Sequence, residues 1–92
     1  MSKYEIVFKN KKAQKGWDQI RQRDAAGVQK CWDWLSETPL QRHPGGKTSM
    51  FRSQRKRGVI EYRVNYHDRV FFTVDKEANL VVIEYAGPHP KY

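Results

Sequence analysis

Cysteine is nearly absent: Cys31 stands alone among 92 residues, which excludes an intramolecular disulfide framework and suggests a reducing compartment. Long hydrophobic runs are missing too, so no segment has the length to span a bilayer, and MSKYEIVFKN carries no apolar signal-peptide core. A soluble, cytoplasmic protein is expected, with no membrane partner. Neither internal repeats nor a low-complexity tail appears. Acidic residues are scarce, 10 against 18 Lys and Arg, for a net charge of +8. That imbalance says nothing about fold but predicts attraction to polyanions.

Metal and phosphate-loop signatures are equally lacking. His43, His67 and His89 show no ligand spacing. Gly45-Gly46-Lys47-Thr48 has the end of a P-loop without its first glycine or preceding strand. No cofactor, metal or small molecule, is expected.

What is present suits one small domain over residues 1–92, because so short a chain cannot divide its 38% hydrophobic residues between two cores. Residues 4–9 alternate Tyr4, Ile6 and Phe8 against Glu5, Val7 and Lys9, which predicts a strand. Asn10 offers an N-cap, and over 11–23 Ala13, Trp17 and Ile20 make a thin apolar stripe on a basic helix weakened by Gly16. Asp24 caps a second helix through Ser36, with Val28, Cys31, Trp32 and Leu35 on its stripe and Trp34 off it, placed either to cover the helix edge or to meet a partner. Cys31 on that stripe reads as a core residue rather than a nucleophile. Thr38-Pro39 ends the helix.

Residues 39–57 read as loop, with room for a short strand near 49–54. Residues 59–66 alternate Ile60, Tyr62, Val64 and Tyr66 against Glu61, Arg63 and Asn65, and the aromatic set reads as core. A turn at 65–68, a strand over 69–75, a turn at 75–79 and a strand over 80–85 follow. The last is the most apolar and is expected at the centre of the sheet. Gly87-Pro88-His89-Pro90 then breaks into a tail. The fold class is α+β: an N-terminal strand and two-helix hairpin packed on one face of a mostly antiparallel sheet, in the order β-α-α-β-β-β, with the other face open.

Basic and aromatic side chains concentrate toward that open face. Lys47, Arg52, Arg55, Lys56 and Arg57 precede the strand bearing Glu61 and Arg63; Arg69 opens the next, and His89, Lys91 and Tyr92 lie in the tail. RNA cleavage needs a base for the 2′-OH proton, cations for the scissile phosphate and an acid for the leaving oxygen. Glu, Arg, His and Tyr cover these tasks, and Phe71, Tyr85 or Tyr92 can stack bases. Each element also has an ordinary reading: a solvated basic loop, Glu61 and Arg63 each in an ordinary cross-strand salt bridge, a frayed tail. Residue chemistry alone reaches a basic nucleic-acid-binding domain.

The stretch VIEYRVNYHDRVFFTVDKEANLVVIEYAGPHPKY resembles the RelE/ParE superfamily of type II toxin–antitoxin toxins, nearest its RelE- and YoeB-like mRNA interferases. The likeness lies in a strand with a basic residue, a short turn, an arginine followed by a V-hydrophobic-aromatic-x-V pattern, an acidic turn, an apolar strand, and a tail with His and Tyr. The resemblance implies endoribonuclease activity on mRNA in the ribosomal A site, without a metal, by 2′-OH attack. By position it also implies that Arg63 and Arg69 hold the phosphate, that His89 is the tail residue that moves a proton, and that Tyr92 stacks or orients. Glu61, where RelE-like members carry a lysine, is the only nearby carboxylate to share the acid and base roles with His89 in either order. Two departures stand out: no carboxylate lies between Lys47 and Phe51, where YoeB-like members carry their base, and His89 and Tyr92 are spaced unlike either subgroup's tail. The gap leaves open a ParE-like inhibitor of DNA gyrase without nuclease activity. The partners implied are mRNA, the ribosome and a cognate acidic antitoxin drawn to the cationic groove.

Overall fold

Asn10 and Asp24 set the helical hairpin. In the computed structural model, which describes residues 3–41, 45, 48–50 (backbone only) and 58–88, strand β1 (Glu5–Phe8) ends two residues before helix α1 (Lys11–Arg23). The Asn10 carboxamide oxygen accepts from the Ala13 N–H at 2.9 Å, and the Asp24 carboxylate accepts from Gly27 N–H at 2.9 Å at the start of α2 (Ala25–Glu37). Each cap satisfies a donor the helix itself leaves unpaired. Asp24 also closes α1, its own N–H bonding to Ile20 O at 2.8 Å, so one residue is the hinge of the hairpin.

The strands β2 (Thr48–Met50), β3 (Ile60–Arg63), β4 (Asp68–Asp75) and β5 (Leu80–Pro88) join β1 in one sheet of order β1-β5-β4-β3-β2. Neighbours are antiparallel except β1, which runs parallel to β5. The turn into β5 carries Asn79 at φ 52°, a left-handed conformation that asparagine tolerates better than most residues. An Asp75 carboxylate oxygen steadies that turn by accepting from Ala78 N–H at 3.1 Å.

Both helices lie on one face of the sheet. There Ala13, Trp17, Ile20, Val28, Cys31 and Leu35 pack with Tyr62, Val70, Phe72, Val81 and Ile83 in a single buried cluster. Trp34 covers the helix edge against this cluster. Tyr62 is 1% exposed. Burial pushes its phenol up to about 12, with the Cys31 thiol adding in the same direction.

Four expectations change. The short strand sits at Thr48–Met50, ahead of the 49–54 expected, and 51–57 lie outside the described residues. The middle of the sheet is β4; β5, the most apolar strand, lies beside it under α1. Strand β5 continues through Gly87 to Pro88 because Asp68 and Arg69 of β4 still pair with it there. Tyr66, expected in the core, is 86% exposed because β3 ends at Arg63 and the chain has already turned. Gly16 is more than a weak point of α1: a Cβ there would lie 1.9 Å from Ala86 O, so the glycine lets the helix rest on β5 backbone to backbone.

Candidate active site

Strand alternation puts Glu61 and Arg63 of β3 on the face away from the helices, since Ile60, Tyr62 and Val64 point into the core. Register then decides who meets whom. Arg63 is directly opposite Arg69, and Glu61 is directly opposite Phe71. On the far side of β4, Arg69 is opposite Gly87 and Phe71 opposite Tyr85. Two rows therefore cross the open face: Arg63, Arg69 and Gly87 in one, Glu61, Phe71 and Tyr85 in the next.

Two arginines facing each other across a sheet repel. Arg69 is held in spite of this because its guanidinium has two sets of partners. Its Nη1 reaches three backbone carbonyls of the β3–β4 turn, Asn65 O at 2.7 Å, Asp68 O at 3.1 Å and Tyr66 O at 3.3 Å. Its Nε faces Glu61 Oε2 at 3.9 Å, a separation for charge attraction but too long for a hydrogen bond. The side chains of Arg69 and Glu61 are 12% and 20% exposed, whereas Arg63 is exposed. The pair is thus one fixed cation and one reaching cation, with a carboxylate beside the fixed one. Such an arrangement can grip a phosphate and offers a proton acceptor alongside.

The aromatic row is layered. Phe71 is buried on this face, its ring 5.4 Å from that of Tyr85 at 31°. Tyr85, half-buried, folds its hydroxyl over Gly87 and donates to Pro88 O at 2.6 Å. A β-bulge puts Glu84 on this face too, where Lys9 Nζ meets it at 3.0 Å.

Of the residues singled out in the sequence, Glu61, Arg63, Arg69, Phe71 and Tyr85 gather on this one face. Lys47, Arg52, Arg55, Lys56, Arg57, His89, Lys91 and Tyr92 lie outside the described residues. Among the described residues no group of three or more His, Cys, Asp or Glu could hold a metal ion, and no helix is long and apolar enough to cross a membrane.

The sequence reading missed what stands behind Arg69. Asp68 is 2% exposed and points to the helix side, where Arg23 Nη2 meets its Oδ1 at 2.7 Å. Asn65, read only as a turn residue, ties that aspartate to Asp24 at the helix hinge. The signal was the Asn-x-x-Asp spacing of a turn whose first side chain bonds the backbone ahead of it.

No family model matches the sequence, and no curated protein matches it either. Solved structures do. The heterotetrameric YoeB–YefM toxin–antitoxin complex of Staphylococcus aureus is similar at 26% identity and TM-score 0.68, over 95% of this chain and 98% of that one. The DinJ–YafQ toxin–antitoxin complex of E. coli is similar at 15% identity and TM-score 0.73, over 94% and 92%. The RelBE2 complex of Mycobacterium tuberculosis is similar at 19% identity and TM-score 0.62, over 99% and 97%. From hairpin to last strand, this chain is built as the RelE-superfamily toxins of toxin–antitoxin pairs are built.

Proposed function

We propose that this chain is the toxin of a type II toxin–antitoxin pair, an endoribonuclease that cuts mRNA in the ribosomal A site. The observation that carries the reading is the Arg63–Arg69 pair opposed across β3 and β4 with Glu61 beside it. Like charges set opposite one another weaken a sheet; an anion lying between them turns that repulsion into binding.

In this reading the substrate supplies its own nucleophile and no metal takes part. A base, Glu61 or His89, removes the 2′-OH proton as the 2′ oxygen bonds to phosphorus. The bond from phosphorus to the 5′ oxygen breaks, and the other group, acting as acid, gives that oxygen a proton. The products are a 2′,3′-cyclic phosphate and a 5′-hydroxyl. Arg69 holds the phosphate while Arg63 follows the charge that grows on it. Tyr85, backed by Phe71, offers a ring to a splayed base, and Tyr92 stacks or orients. The loop cations Lys47, Arg52, Arg55, Lys56 and Arg57, with Lys91, steer the RNA backbone. An acidic antitoxin neutralises the same face, as the S. aureus and E. coli toxins are found with YefM and DinJ. The setting is the cytoplasm, where translated mRNA is.

Brief induction followed by mapping of mRNA 5′ ends tests the reading. Cuts in phase with codons inside translated regions are expected, and Arg69→Ala should abolish both cutting and growth arrest with the fold retained. Full toxicity in Arg69→Ala would remove the proposed site. The lack of a carboxylate between Lys47 and Phe51 favours one second reading: a ParE-like gyrase inhibitor, revealed by cleaved plasmid DNA with mRNA intact.

A further inference from the structure

Asn65 uses its entire hydrogen-bonding capacity, and in doing so joins two faces of the sheet. Its Oδ1 accepts from His67 N–H and Asp68 N–H, both at 2.9 Å, which shapes the β3–β4 turn. Its Nδ2 donates to Asp24 Oδ2 at 2.9 Å and Asp68 Oδ2 at 3.2 Å, which fastens the turn to the helix hinge. Asp68 is anchored again by Arg23 at 2.7 Å. The backbone carbonyl of Asn65 itself gives Arg69 its shortest contact, 2.7 Å to Nη1. The same turn is thus gripped from the helix side and grips Arg69 on the open side.

We propose that Asn65 is the positioning residue for Arg69, holding the turn carbonyls where they fix the guanidinium beside Glu61. The inference rests on the role proposed above for Arg69. Asparagine alone among small polar residues meets both demands, two acceptor bonds toward backbone N–H groups and two donor bonds toward carboxylates. Aspartate keeps the first but sets a third carboxylate against Asp24 and Asp68. Serine keeps an acceptor for the turn and can donate to one carboxylate at most. Without the clamp the turn shifts, and Arg69 leaves the position in which the phosphate would find it. A displacement on the order of 1 Å in a positioning group can cost about 100-fold in rate.

The test is single-turnover cleavage of a defined mRNA on purified ribosomes, recording the rate at saturating toxin and the half-saturating concentration separately. Arg69→Ala, Asn65→Ala, Asn65→Ser and the Asn65→Ala/Arg69→Ala double variant are compared, with thermal melting of each. Asn65→Ala is expected to lower the saturated rate by roughly 10- to 100-fold with less change in half-saturation. Asn65→Ser should fall between it and the parent. The double variant should be no slower than Arg69→Ala, because there is then no guanidinium left to position. Asn10→Ala, which loses stability at a cap far from this turn, should keep the parent rate and so separates positioning from folding.

If Arg69→Ala cuts normally, the proposed active site is wrong. If Arg69→Ala cuts with only a small residual rate while folded Asn65→Ala, or Asn65→Ser should the alanine variant not fold, keeps the parent rate, the positioning role is wrong and the active site stands. Losses that multiply in the double variant likewise overturn the positioning role.

Discussion

Replacing Gly16 by alanine sets two physical effects against each other, and the structure decides between them. In an isolated helix the change stabilises by about 1 kcal/mol, because alanine costs less backbone entropy. Here the new Cβ would stand 1.9 Å from the Ala86 carbonyl oxygen, where real Cβ atoms essentially never come within 3.0 Å. That oxygen belongs to β5, paired with β4 at Val70, so it cannot swing aside as a side-chain tip would. The helix must retreat by more than 1 Å, lifting Ala13, Trp17 and Ile20, all 4% exposed or less, away from the sheet. A gap of that size forfeits about half of each contact's dispersion energy, and overpacking of this kind costs roughly 3 kcal/mol. The net loss is about 2 kcal/mol, equivalent to a fall in Tm of roughly 8–16 °C in a domain this small. Thermal unfolding followed by circular dichroism reads the sign directly. A rise in Tm for Gly16→Ala would mean that helix propensity prevails and that the helix does not rest on β5 as described.

Other perturbations probe the caps and the core. Asn10→Ala should lower stability by about 1 kcal/mol through loss of the bond to Ala13 N–H, while Asn10→Asp should hold it, since a carboxylate suits a helix N-terminus; equal melts for parent and alanine variant would refute the cap. Tyr62 has a folded-state pKa raised from 10.0 to about 12, so its contribution is complete below pH 10 and is lost as pH climbs through 12. The two-unit rise corresponds to roughly 3 kcal/mol, so between pH 10 and 12 Tyr62→Phe should lose stability less steeply than the parent. Parallel denaturation curves across that window would refute the burial of the phenol.

Much of the architecture was legible because local rules and tertiary packing agree. Both caps, the bounds of α1 and the burial of Cys31 follow from spacing and side-chain chemistry alone. The legible part of the site was the open-face set Glu61, Arg63 and Arg69, since alternation along a strand fixes which side chains share a face. What escaped depends on contacts far along the chain. Gly16 reads as a flaw until Ala86 is brought beneath it. Tyr66 continues the alternation of β3, yet Asn65 bends the chain after Val64 by accepting from two backbone N–H groups, a local bond that overrides the pattern. Pro88 looks like a strand breaker, but it is the last residue of β5, paired with Asp68, where a missing N–H matters least. Asn65 and Asp68 looked like turn formers because their partners, Asp24 and Arg23 respectively, lie 41 and 45 positions away.

The parallel pairing of β1 with β5 has a consequence for synthesis. Glu5 finds its partner at Leu80 and Phe8 at Ile83, so the first strand waits for nearly the whole chain to be translated before it has a neighbour. Helix α1 waits with it, because the floor under Trp17 and Ile20 is that same late strand. Contacts so remote are slow to form. Arg63 and Arg69 leave the ribosome before the strand that completes their sheet, and a nascent chain therefore owns its cations well before it owns the surface that arranges them.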